Sequence, residues 1–161
     1  TAELRSAQEV MLAALTTDQV PSLSTDQIAA IEAADVPALT TAQIDAMSTT
    51  QIRAFTTDQI AVLTTDQIGA LSFVHLGALT TDELVAFTTD QMAALTGDQI
   101  QGLTTAQVPA IETEDIAALS TNAIAGFSAA QLGVFTAGQI AALTPTQIAA
   151  MDDEQREILS L

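Results

Sequence analysis

A large apolar side chain recurs at every eighth residue from Leu15 to Met151, for example Leu15, Leu23, Ile31, Phe55 and Phe87. A second apolar series follows five places behind it, as in Val20, Ile28, Ile60 and Met92. A small residue, usually Ala, closes each unit. The second position is Ser or Thr in 15 of 17 octads and the fifth is Gln in 12, so the polar phrase is as regular as the apolar marks around it. The seventh position takes Pro21, Asp45, Arg53, Val85 and Gln101 alike, which marks it as solvated.

The phrase reads as a helix start written over and over. Thr16 and Gln19 fit a capping box: the hydroxyl accepts from the N–H three residues on, and the Gln returns to the cap's own N–H. Leu15 before the cap and Val20 in the first turns have the spacing of a hydrophobic staple. Asp18 lies where the helix dipole favours negative charge. Pro145 occupies the first helical position, where Pro is best tolerated. The predicted caps are Thr16, Ser24, Thr40, Ser48, Thr56, Thr64, Ser72, Thr80, Thr88, Thr96, Thr104, Ser120, Ser128, Thr136 and Thr144.

A single long helix does not suit this period. At about 100° per residue an octad overshoots two turns by roughly 80°, so its apolar stripe would spiral and face no one partner. A β-solenoid would need Gly and Asn at fixed turn positions; Ala and Gln dominate here. The expectation is therefore an all-α solenoid of about 17 very short helices, one per octad over residues 15–151. Helices of five to seven residues are unstable alone, so stacking on neighbouring coils must hold each one. Divergent ends are expected: a capping helix in residues 1–14, with Leu4, Ala7, Met11 and Leu15 on one face, and a C-terminal cap over 152–161, where Asp152 and Gln155 can start a last helix.

Some octads depart from the phrase. Pro21, Pro37 and Pro109 each remove an intrahelical bond, which points to a 3₁₀-like turn there. Glu32 and Glu112 replace the capping hydroxyl, with Asp35 and Asp115 in the fifth place, and predict fusion of neighbouring helices. In LSFVHLGA, Phe73, Val74 and His75 replace the usual Thr, Asp and Gln, a candidate apolar patch for a partner.

The chain carries three Arg, no Lys and a net charge of −17, which excludes nucleic acid as a partner because cationic groups must displace its counterions. No apolar run reaches the roughly 20 residues of a membrane span, so no membrane insertion is expected. With no Cys and one His, no nucleophile–base pair or metal-ligand set is readable. The expectation is a non-enzymatic protein without a cofactor, its acidic surface open to weak, diffuse Ca²⁺ binding. The opening TAELRSAQEV is not a signal peptide, and the missing initial Met points to a processed form or a fragment.

The stretch FTTDQIAVLTTDQIGAL, Phe55 to Leu71, resembles the LTTxQIxAL octapeptide tracts of large exported bacterial proteins of adhesin or haemagglutinin type. The resemblance extends from Leu15 to Met151. It implies an extracellular or cell-surface location and a structural role, and no catalytic residue. Two functions are expected from these features: a spacer segment, or a scaffold that binds an unknown protein partner or itself through the solenoid surface or the Phe73–His75 patch.

Overall fold

The structure, a computed structural model, describes residues 10–161. From Leu15 to Ile158, every octad carries one short helical element, and no strand occurs among the described residues. The α-helices run from four residues, as in Thr49–Ile52, to seven in Asp153–Leu159. Each begins after an extended residue. Ser72, at φ −71° and ψ 162°, breaks the chain before Phe73–Ala78. The apolar residue just ahead, Leu71, is also extended and is buried. Burial of that side chain and capping of the next N–H groups together stop one helix and start another.

Proline sets the exceptions. Val20–Ser22, Ala33–Ala38 and Val108–Ala110 are 3₁₀-helices, and each contains a Pro at the seventh position. The missing N–H removes the α-type bond, and the tighter ladder closes instead, as in Leu39 N–H to Val36 O at 3.0 Å. The octads with Glu at the second position do not fuse with their neighbours, contrary to the sequence expectation. Glu32 and Glu112 are extended, with ψ of 135° and 151°, and the capping hydrogen bond is absent at both. Burial of Ile31 and Ile111 just before them holds the bend without it.

Helices stack with their third neighbour. Thr41–Asp45 packs on Thr65–Ala70, Thr49–Ile52 on Phe73–Ala78, and Thr121–Ala125 on both Gly97–Gln101 and Pro145–Ala150. One turn of the solenoid thus takes three octads. The two apolar series line its interior, from Val20 and Ile28 to Phe127 and Leu132. On one side the backbones touch. A Cβ on Gly102 would stand 2.0 Å from the Phe73 carbonyl oxygen, and one on Gly126 would stand 2.5 Å from Gly97 Cα. Glycine is needed here for approach, not for a special backbone angle.

Residues 10–14 are helical, and Leu12 is buried against the first coil. The remainder of the expected N-terminal capping helix, including Leu4 and Ala7, lies outside the described residues. The C-terminal segment 152–161 is less separate than its composition implies. Asp152 caps Asp153–Leu159 with a full capping box, and Gln155 is buried in the same register as the other octads. Arg156 Nη1 donates to Met151 O at 2.8 Å.

Candidate functional site

The caps lie at the surface, at the start of their helices. Ser24, Thr40, Ser48, Thr56, Thr64, Ser72, Thr80, Thr88, Thr96, Ser128, Thr136 and Thr144 each accept from the third helical N–H and are answered by the fifth-position side chain. Thr104 makes the same pair of bonds ahead of a 3₁₀-helix. Ser120 makes only its own half, because Ala123 has no polar group to return. Thr16 has only the other half: its N–H donates to Gln19 Oε1, and its hydroxyl does not act as a cap.

The fifth-position Gln does more than close these boxes. Its Oε1 accepts from the cap N–H on its own helix, which leaves Nε2 pointing at the preceding coil. Gln59 Nε2 donates to Ile28 O at 2.9 Å and to Ile31 O at 2.6 Å. Gln67, Gln91, Gln99, Gln107, Gln131 and Gln139 repeat this with carbonyls 31 and 28 residues back. Among the described residues the ladder runs from Gln43 on Leu12 and Leu15 to Gln155 on Ala125 and Phe127. These amides are buried. A Glu could complete the capping box, but an ionised carboxylate could not donate to the two carbonyls. That is why the position is Gln. The sequence signal was available in the strong excess of Gln over Glu, which capping alone does not require.

Four octads interrupt the ladder. His75 is buried and accepts the Ser72 N–H at Nδ1, so its Nε2 carries the hydrogen and donates to Met47 O at 2.9 Å. Glu83 is also buried, and its Oε2 accepts from the Thr80 N–H and hydroxyl. Asp115 is buried and accepts from the Thr89 hydroxyl; burial raises its pKa, and the nearby charges of Glu112 and Glu114 push in the same direction. Ala123 contributes no polar group at all. A further acid, Asp35, is fully buried, and among the described residues neither of its carboxyl oxygens has a hydrogen-bond partner.

The predicted patch divides in two. Phe73 and Val74 are 59% and 50% exposed and stand side by side at the start of Phe73–Ala78. His75 belongs to the interior, because the fifth position faces the neighbouring coil and not solvent. Among the described residues no group of three or more His, Cys, Asp or Glu could hold a metal ion. The clefts between coils are shallow. One of about 330 Å³ at the first coil is lined by apolar residues including Leu15, Leu23 and Ile31.

Fold and ladder together define a helical repeat protein whose unit is the octad. Four stretches of the chain, residues 28–65, 36–73, 75–105 and 108–145, match the model of the ALTTAQ repeat, and the first two are offset by a single octad. The chain belongs to the ALTTAQ repeat family. Neither a curated protein nor a solved structure shows a significant match to it.

Proposed function

We propose that this array is a non-catalytic spacer in an exported bacterial surface protein. The observation that carries the reading is the glutamine ladder, which ties each coil only to the one before it. Length is then set by the number of octads. The acidic exterior suits a hydrated surface location and would attract Ca²⁺ weakly and diffusely. Small-angle scattering on deletion variants tests the spacer reading. Removing three octads, residues 55–78, is expected to leave a folded protein shorter by one coil spacing, about 8–10 Å. Loss of folding or an unchanged maximum dimension would overturn it.

A second reading is a protein-binding scaffold, favoured by the exposed Phe73 and Val74. Such paired apolar side chains at positions most often occupied by Thr and Asp are suited to a contact. If they form one, Phe73→Thr with Val74→Asp abolishes partner binding while circular dichroism stays unchanged. Retention of every partner by that double variant removes the reading.

A further inference from the structure

We infer that the solenoid is three stapled blocks joined by two soft joints, one at residues 71–86 and one at residues 111–126. A complete turn of three octads carries six ladder bonds, two from each Gln, as in the turn of Gln43, Gln51 and Gln59. In the turn of His75, Glu83 and Gln91, three remain: one from His75 and two from Gln91. In the turn of Asp115, Ala123 and Gln131, only the two from Gln131 remain. Asp115 keeps one tie of another kind, the bond from the Thr89 hydroxyl.

The interruptions fall in consecutive pairs, so each weakens two of the three columns of one turn. Glu83 leaves the Ile52 and Phe55 carbonyls, and Ala123 leaves those of Met92 and Leu95, without the amide that their register positions receive elsewhere. At the second joint, the column of Ala123 is the one in which Gly97 and Gly126 bring two backbones into contact. That contact is a fulcrum, and the Asp115 column beside it is tied across the coils by the Thr89 hydroxyl and by packing of Thr113–Ala118 on Thr89–Ala93, without ladder amides. The joints separate blocks whose amides are donated by residues 43–67, 91–107 and 131–155. The inference does not depend on whether the array spaces or binds.

Hydrogen exchange followed by mass spectrometry on the full chain tests it. Amides in residues 79–86 and 111–126 are expected to exchange at least tenfold faster than those in 55–70 and 95–110. Glu83→Gln restores two donors without changing side-chain size, and should slow exchange in 79–86 at least tenfold while leaving 111–126 unchanged. Asp115→Gln should do the converse. Protection that is even along the array, or a Glu83→Gln variant with the exchange of the parent, would overturn the joints. If Asp115→Gln does not fold, Glu83→Gln alone decides.

Discussion

The Gln99 side-chain amide donates to the Leu71 carbonyl at 2.7 Å, 28 residues earlier in the chain, while its Oε1 accepts from the Thr96 N–H that opens its own helix at 3.0 Å. One side chain thus starts a helix and fastens it to the coil beneath. A helix of five residues cannot persist by its own hydrogen bonds. Here its start signal and its tertiary tie are the same group, so local order and stacking form together.

Gln99→Glu keeps the local half of this arrangement and reverses the other, setting a carboxylate against two carbonyl oxygens. The expected loss is about 2–4 kcal/mol, read from urea denaturation midpoints. Gln19→Glu is the internal comparison. Gln19 is exposed, and among the described residues its side chain makes only the local bond to Thr16, so a change within about 0.5 kcal/mol is expected there.

The caps contribute separately. Thr88→Ala removes the acceptor for the Gln91 N–H and is expected to lower stability by about 1 kcal/mol. Glu112→Thr supplies a hydroxyl where the capping bond is absent and is expected to raise stability by a similar amount. Thermal unfolding of the two variants beside the parent measures both.

Two glycines should respond oppositely to alanine. Gly69 lies inside Thr65–Ala70 with open space around its Cβ direction, so Gly69→Ala should stabilise by about 0.5–1 kcal/mol through helix propensity. Gly102→Ala drives a methyl into the Phe73 carbonyl, a backbone group that cannot swing aside. A loss of more than about 2 kcal/mol is expected, measured as a fall in the denaturation midpoint.

Asp115 gives the stability a pH dependence. Burial, followed by the charges of Glu112 and Glu114, raises its folded-state pKa above the ordinary 3.8, against the opposing Thr89 bond. Between 3.8 and the raised value, the folded chain holds a proton that the unfolded chain has released. Stability therefore falls as pH rises through that interval, and the deficit persists above it. Asp115→Asn removes the ionisation. The variant is expected to be more stable than the parent at pH 7, with the advantage shrinking as pH drops toward 4, in urea titrations at a series of pH values.

What could be read from the sequence was what neighbouring residues decide. Ser24 and Gln27 sit three apart and meet on one helix turn, so their box follows from spacing alone. Pro37 removes a bond within its own octad, and a 3₁₀ turn answers it locally. The ladder is different, because the carbonyls that receive Gln59 belong to residues 28 and 31 and depend on how far the chain bends per octad. That bend is summed over three corners, and an octad does not record where the third one leads. His75 was misplaced for the same reason. Read along the chain it sits beside Phe73 and Val74, but only the coil beneath shows that the fifth position points inward. At Glu112 a buried Ile111 keeps the corner although the cap is missing, so loss of the capping hydroxyl does not fuse the helices.

Among the described residues no ladder bond reaches further than 31 residues along the chain. The search that brings two partners together is therefore no longer for the last coil than for the first. Assembly can begin wherever one turn closes and spread outward by zippering, so folding speed should be nearly independent of how many octads an array contains.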